Sequence, residues 1–117
     1  MGTAGHRRLR ERRRGGEREV GDDGVRRGGD PGPKEAPGYA EAHGIARAHG
    51  SFEELLASDD VDAVFVALHP VDHVEWTVKA LRAGKHVLCE KPLALSVEDT
   101  ERVFDAAEAA GRTVVEG

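Results

Sequence analysis

Four side chains suited to acid-base chemistry follow two short apolar runs in the sequence. His69 and His73 come after the first run, and Glu90 and Lys91 come after the second. Imidazole, carboxylate and ammonium groups are the usual general acids and bases of enzymes. If the two runs are neighbouring parallel strands, these groups meet in one crevice beyond the strand ends, where a polar ligand can bind.

The two runs and the residues between them predict a strand, a helix and a second strand. Residues 61–68 read Val-Asp-Ala-Val-Phe-Val-Ala-Leu, a nearly continuous apolar run that is typical of a strand covered on both faces. Residues 86–90 form the second strand. A helix that ends at Gly84 lies between them, because apolar residues recur there at spacings of three and four. Those residues are Val71, Val74, Val78 and Leu81.

Further elements flank this unit. Residues 39–43 predict a short helical tail that ends at Gly44. Ser51 and Glu54 form a capping box for a brief helix that ends near Ser58. A later helix opens at Ser96, closes at Gly111 and is followed by a strand over residues 113–116. The inward residues predicted for these two helices are Phe52, Leu55, Leu56, Val97, Val103, Phe104, Ala107 and Ala110.

The order strand, helix, strand, helix, strand predicts the fold class. It is the βαβαβ half of a doubly wound parallel sheet, and right-handed crossovers place its three strands side by side. We therefore predict an α/β chain with a partial Rossmann-type domain over residues 39–117.

The first 38 residues have a different composition. They hold ten of the fifteen glycines and ten of the seventeen basic residues, with few apolar side chains. Such a stretch buries too little apolar surface to offset its ordering entropy, and its Gly-Gly and Pro-Gly-Pro breakers stop any regular element growing long. We expect residues 1–38 to be poorly ordered.

The amino-acid composition also limits the classes of function that the chain can have. The single cysteine, Cys89, excludes an intrachain disulfide and suits a reducing cytoplasm. It sits in an apolar run and is predicted to be a small core residue. No stretch approaches the roughly 18 apolar residues of a membrane span. No His/Cys grouping has metal-ligand spacing. We therefore expect a cytoplasmic protein with no membrane partner and no metal site.

Several motifs resemble those of one enzyme family. They include His43-Gly44-Ile45, Ser51-Phe52-Glu53-Glu54-Leu55-Leu56, the run 61–68, the run from Ala83 to Pro92 that ends in Glu-Lys-Pro, and residues 111–116. Together they resemble the glucose-fructose oxidoreductase, inositol dehydrogenase and rhizopine-catabolism (Gfo/Idh/MocA) oxidoreductases over residues 39–117.

The resemblance implies a Rossmann-type domain that binds NAD or NADP and acts on CH-OH groups of sugars, inositols or related diols. Lys91 matches the family's Glu-Lys-Pro lysine, which lies by the nicotinamide and helps to hold and polarise the reacting oxygen. It is the implied catalytic residue, and the physical chemistry agrees, because a lysine near a cationic nicotinamide can titrate low enough for proton transfer. The implied cofactor-binding residues are Gly2, Gly5, Leu68, His69, His73, Glu90, Lys91 and Pro92.

Purely structural roles of the same residues are the alternative to these functional ones. A Lys-Pro pair after a strand is also typical of a solvated turn, and His73 near a helix start can be a solvated polar residue or a cap. His86 is expected to form local hydrogen bonds. The family often has Pro-Asn where this chain has His69-Pro70, which puts the contact to the nicotinamide ribose in question.

The resemblance breaks down before residue 39. Gly2-Thr3-Ala4-Gly5 resembles the family's phosphate turn, but the fingerprint needs a strand before it and an amphipathic helix after it. The spacing from Gly2 to His43 is right while the intervening residues are wrong, as a reading-frame error would produce. Resequencing that finds an uninterrupted frame, with no family-like sequence in another frame, would contradict this hypothesis.

The family's larger substrate domain is also missing from the sequence. By resemblance, that domain supplies a catalytic histidine, most of the substrate pocket and the oligomer interface. We therefore expect the chain alone to be inactive.

A non-catalytic alternative rests on the basic N-terminal arm. Arg-rich arms bind phosphate backbones by counterion release, so this arm suggests a nucleic acid or an acidic partner. Acidic residues interrupt the arm and no aromatic residue is available for base stacking, which argues against nucleic acid. Salt-dependent DNA binding by the full chain, compared with residues 39–117, decides between these functions. The basic residues concerned are Arg7, Arg8, Arg10, Arg12, Arg13 and Arg14.

Overall fold

A computed structural model describes residues 8–12, 18–21, 41–42, 44 and 47–117 of the chain. Its strands are β1 (Arg8–Arg12), β2 (Arg18–Gly21), β3 (Arg47–His49), β4 (Ala63–Ala67), β5 (His86–Cys89) and β6 (Val114–Glu116). Its helices are α1 (Phe52–Ala57), α2 (Pro70–Arg82) and α3 (Val97–Ala110). Glu41 and Ala42 are also helical, where the sequence predicts a short helical tail.

The six strands form one sheet in the order β3-β2-β1-β4-β5-β6. This is the strand order of the doubly wound dinucleotide-binding fold. β4 pairs in parallel with β5, and β5 with β6, which confirms the predicted parallel βαβαβ unit. β2 and β3 are also parallel. β1 differs, because it runs antiparallel to both of its neighbours, β2 and β4. The described sheet is therefore parallel except for β1.

The strand β1 and the strand β2 lie in the segment whose composition predicts poor order. Their lengths are five and four residues, in keeping with the breakers that flank them. The remainder of residues 1–38 lies outside the described residues.

The capping box before α1 forms as the sequence predicts. The Ser51 hydroxyl accepts a hydrogen bond from the Glu54 amide at 3.1 Å, and the Glu54 carboxylate accepts from the Gly50 amide at 3.0 Å. Phe52, Leu55 and Leu56 are buried, and the helix is capped at Ser58. The buried ammonium of Lys85 donates to the Ser58 carbonyl at 2.7 Å, which ties the end of α1 to the start of β5.

The core lies between the β4-β5-β6 sheet and the helices α2 and α3. Alternate residues of the strands point into it: Val64, Val66, Val87, Cys89 and Val114. Of the helices in the described residues, none has the length and apolar character needed to cross a membrane.

The predicted inner face of α2 is only partly right. Val78 and Leu81 are buried and Val74 packs against the core, but Val71 is 63% exposed. The buried surface extends instead to His73 and Trp76, because α2 touches the sheet, α3 and α1 on different sides. The edge of Trp76 packs against the Phe52 ring at 4.9 Å between centroids.

The inner face of α3 also differs from the prediction. Val103 and Ala107 are buried, whereas Val97 is 77% exposed and Phe104 is 51% exposed. One step along a helix rotates a side chain by roughly 100°, so Phe104 turns away from the face that Val103 and Ala107 share. Gly111 then closes the helix with φ of 63°, a left-handed conformation that glycine adopts without steric cost.

Candidate functional site

The carboxyl ends of β4 and β5 meet at one edge of the sheet. β4 leads through Leu68 to His69, the N-cap residue of α2, and Pro70 is the first residue of that helix. β5 leads into Glu90, whose amide donates to the Val66 carbonyl at 2.9 Å. This bond extends the β4-β5 pairing by one residue. It places the residues that follow β4 beside those that follow β5, as the sequence predicts.

The turn over residues 90–93 carries the Glu-Lys-Pro motif. The Lys91 amide donates to the Glu90 carboxylate at 3.2 Å, and the Lys91-Pro92 peptide bond is cis. The Leu93 amide donates to the Glu116 carboxylate at 2.8 Å, and the Leu93 side chain is buried. Main-chain groups on both sides of Lys91 are therefore held by side chains.

The ring of His73 lies beneath this turn and is only 1% exposed. Its Nδ1 lies 2.6 Å from the Pro92 carbonyl oxygen, and its Nε2 lies 2.9 Å from the Leu68 carbonyl oxygen. Both ring nitrogens thus face main-chain acceptors. His73 is neither a solvated residue nor a helix cap, and the ring has no open edge for a cofactor, which argues against the direct cofactor contact implied by the resemblance.

Lys91 is an exposed cation at this edge. Within the described part of the chain its ammonium has no hydrogen-bond partner, while the carboxylates of Glu90 and Glu116 stand on either side of the turn. A mobile ammonium on a fixed main chain can donate a proton or a hydrogen bond to an oxygen brought to the edge.

The predicted site residues therefore divide into two groups. Leu68, His69, His73 and the motif residues 90–92 come together at the carboxyl edge. Gly2 and Gly5 lie outside the described residues. The segment after them forms β1, a strand, whereas a phosphate turn leads into a helix. β1 enters the sheet at this same edge, since Arg8 pairs with Ala67.

His86 lies at the opposite edge of the sheet, at the start of β5. Its Nδ1 accepts a hydrogen bond from the Thr113 amide at 3.0 Å, in agreement with the expected hydrogen-bonding role. A cavity of about 500 Å³ between α2 and α3 also lies toward that edge, because it is lined mainly by the C-terminal halves of both helices, including Arg82 and Ala110. Neither feature belongs to the site.

Glu116 is the residue that sequence reasoning missed. It ends β6, the strand next to β5, and its carboxylate reaches the turn that carries Lys91. The signal was present in the topology, because the last residue of a third parallel strand belongs to the same carboxyl edge as the first two.

Cys89 is fully buried directly before the motif, as predicted for a small core residue. Burial raises the pKa of its thiol above the ordinary value because a buried thiolate loses its hydration. The Thr77 side chain acts in the opposite direction, and the carboxylates of Glu116 and Glu90 add to the increase. Cys89 therefore stays a neutral thiol.

The raised pKa of Cys89 predicts that the free energy of unfolding falls at alkaline pH. Above the unfolded thiol pKa of about 8.5 the unfolded chain releases its proton while the folded chain keeps it, so the free energy of unfolding falls as pH rises. We expect the stability difference between the wild-type chain and Cys89→Ala to narrow above that pH. Urea unfolding across the alkaline range measures it, and a constant difference would contradict the assignment.

Comparisons with known proteins agree with this fold. The model of the oxidoreductase family with an NAD-binding Rossmann fold matches residues 3–117. A 1,5-anhydro-D-fructose reductase from Ensifer adhaerens is 54% identical over 61 residues, which are 52% of this chain and 18% of the relative. An inositol 2-dehydrogenase from Klebsiella pneumoniae is 44% identical over 63 residues, or 54% of this chain and 19% of the relative.

The fold resembles that of a 3-ketoreductase from Actinomadura kijaniata solved with NADP and TDP-benzene. The TM-score is 0.67 at 44% sequence identity, and the match covers 72% of this chain and 26% of the ketoreductase. The chain thus spans about a fifth of the length of the curated relatives it matches.

Proposed function

Because the chain belongs to the oxidoreductase family with an NAD-binding Rossmann fold, we propose that its carboxyl edge at β4 and β5 holds the nicotinamide end of NAD or NADP. The observation that carries this proposal is the exposed ammonium of Lys91 on a turn whose main chain is fixed on both sides. Ligands of open α/β sheets bind beyond the carboxyl ends of the strands, where Lys91 stands.

The donor set at this edge fits a nicotinamide and a hydroxyl-bearing substrate. Lys91 supplies a cation with three donors, and Glu90 supplies an acceptor beside it. Leu68 and His69, with Pro92 on the turn, would line the same edge. The family resemblance would assign Gly2 and Gly5 to the pyrophosphate, but a phosphate turn leads into a helix and here the strand β1 follows, so we leave them out of the proposed site.

We propose that the reaction interconverts a carbonyl and a CH-OH group on a sugar, an inositol or a related diol. The names of the relatives support this substrate class, since they include a reductase of anhydrofructose and an inositol dehydrogenase. Bound NAD or NADP would supply or accept the hydride.

Lys91 would act on the substrate oxygen. In the direction of reduction its ammonium donates a hydrogen bond to the carbonyl oxygen, and then the proton that the new alkoxide needs. In the direction of oxidation the neutral amine accepts the hydroxyl proton. Proton transfer of this kind requires hydrogen-bond reach, which the flexible lysine side chain provides from a fixed turn.

The 117-residue chain alone is predicted to have negligible turnover. Lys91 and Pro92 are exposed, so water reaches the reacting groups that a working active site shields. Spectrophotometric assays with NAD or NADP and a panel of sugars, inositols and diols test this. Steady reduction of either cofactor by the purified chain would contradict the prediction.

A chimeric enzyme tests the proposed function itself. In this chimera the aligned segment of the Actinomadura kijaniata ketoreductase is replaced by the matching residues of this chain, including the Glu-Lys-Pro turn. We expect NADP-dependent turnover of the parent substrate. A chimera that folds and binds NADPH but has no turnover would contradict a role for this edge in hydride transfer.

A further inference from the structure

We propose that His73 is a positioning residue that fixes the main chain from which Lys91 projects, and that Glu116 supports the same turn from the other side. The inference rests on the proposed function of Lys91 and assigns the two residues a role that the motif does not state. We do not class either as a catalytic residue, since the hydrogen bonds of His73 and Glu116 described here go to main-chain groups of the turn and of Leu68.

His73 links the two segments that follow β4 and β5 and form the site. Its two acceptors belong to different segments: Leu68 follows β4, and Pro92 follows β5 and Lys91. A neutral imidazole can donate to one of these carbonyls, and an imidazolium can donate to both. The shorter contact, 2.6 Å, is from Nδ1 to the Pro92 oxygen, so the support of the turn requires a proton on Nδ1.

Burial is what makes this support effective. The ring is 1% exposed, so water does not compete for the two carbonyls, and a hydrogen bond lost there leaves a poorly solvated acceptor. The Nδ1 contact acts one residue after Lys91, on the carbonyl of the Pro92–Leu93 peptide group.

Glu116 holds the other end of the same Pro92–Leu93 peptide group. Its carboxylate accepts from the Leu93 amide at 2.8 Å, and the end of β6 is held beside β5 because the Gly117 amide donates to the Cys89 carbonyl at 2.7 Å. On the near side of Lys91, the Glu90 amide is bonded to the Val66 carbonyl. Three separate elements thus restrain the turn, while the Lys91 side chain stays exposed.

The main chain of the turn is therefore held by hydrogen bonds, while the Lys91 side chain that would react is exposed. A catalytic side chain works only when it is held close to its productive geometry, and residues behind it supply that precision. His73 and Glu116 would therefore affect the placement of the Lys91 ammonium relative to a bound nicotinamide more than they affect the fold.

The first test uses the unmodified chain. Long-range nitrogen-proton NMR correlations of the histidine rings distinguish a protonated from an unprotonated Nδ1. We expect His73 to carry a proton on Nδ1 at neutral pH, and His86, whose Nδ1 accepts a hydrogen bond, to lack one in its neutral form. A His73 ring protonated only on Nε2 would overturn the proposal.

The second test uses two variants that each keep one donor position. Asparagine places its amide nitrogen near the Nδ1 position, and glutamine places its nitrogen near the Nε2 position. We expect His73→Asn to keep the NADPH-dependent change in the Lys91 amide shift and His73→Gln to lose most of it, because only the asparagine retains a donor for the Pro92 carbonyl. Glu116→Gln can still accept from the Leu93 amide and should keep this shift change.

The matched control is His86→Gln at the opposite edge, which should leave the NADPH-dependent shift change of Lys91 as in the wild-type chain. If this shift change follows the urea stability of the variants rather than the position of the donor, His73 is structural only and the proposal fails. If the wild-type chain shows no NADPH-dependent change at Lys91, the proposed function fails, whereas the Nδ1 proton reports on the support of the turn whether or not NADPH binds.

Discussion

Replacing Lys91 by methionine is expected to lower kcat of the chimeric enzyme by about 100- to 10,000-fold, the usual contribution of a positioned general acid or base. Methionine keeps much of the apolar stem and removes the ammonium. Because the turn is held through main-chain groups of residues 90, 92 and 93, the loss should fall on the chemical step. Steady-state kinetics measure it, with KM expected to change much less than kcat.

Lys79→Met is the matched control for this experiment. Lys79 lies on the outer side of α2, bonds to the Glu75 carboxylate at 3.0 Å and stands 4.4 Å above the Trp76 ring. Exposed pairs of this kind contribute only about 0.3–0.5 kcal/mol, so kcat should stay near that of the chimera. Equal losses in the two variants would assign the effect to general charge or stability rather than to Lys91.

Phe52→Ala is expected to lower the free energy of unfolding by about 3–5 kcal/mol. Phe52 is fully buried, begins the six-residue helix α1 and makes an edge-to-face contact with Trp76. A helix this short depends on packing rather than on its own propensity, so the cavity should loosen α1 as well. Urea unfolding followed by fluorescence of Trp76, the single tryptophan, measures the change.

Phe104→Ala provides the comparison within the same chain. This phenylalanine is 51% exposed on α3, and removing it should change stability by only about 0.5 kcal/mol. A cost for Phe104→Ala as large as that for Phe52→Ala would mean that the outer face of α3 is covered in solution.

Local signals in the sequence were sufficient for the elements that position the site. Ser51 and Glu54 predict the start of α1 because capping is decided within four residues. The β-branched run around Val64 and Val66 predicts a buried strand, and Gly111 predicts the end of α3. The motif residues after β5 could be placed beside those after β4 from topology alone.

Features that depend on partners distant in sequence were not predictable in this way. Val71 and Phe104 have the right spacing for a buried face, but exposure depends on which neighbouring elements reach them. The ring nitrogens of His73 contact two main-chain carbonyls, those of Leu68 and Pro92. The spacing of these residues in the sequence gives no indication of the contacts. The topology places Glu116 at the carboxyl edge, but its hydrogen bond to the Leu93 amide, 23 residues away, was not predictable.

The direction of β1 also escaped prediction. The family model matches from residue 3 onward, and the strand order is that of the doubly wound fold, yet β1 runs opposite to β4. The family match thus extends into residues 1–38, where the motifs alone predict that the resemblance ends, and we keep a reading-frame error within that segment as a proposal. Family-like sequence in another frame of the same locus is the expected result.

The most direct test of the central claim is an NMR titration of the 117-residue chain with NADPH and, separately, with nicotinamide mononucleotide. A nicotinamide site at the carboxyl edge predicts that the largest amide shift changes occur at His69, Glu90, Lys91 and Leu93 with both ligands. Changes confined to the α2-α3 cavity near Arg82, or no change at ligand concentrations of about 1 mM, the upper range of typical KM values, would contradict it.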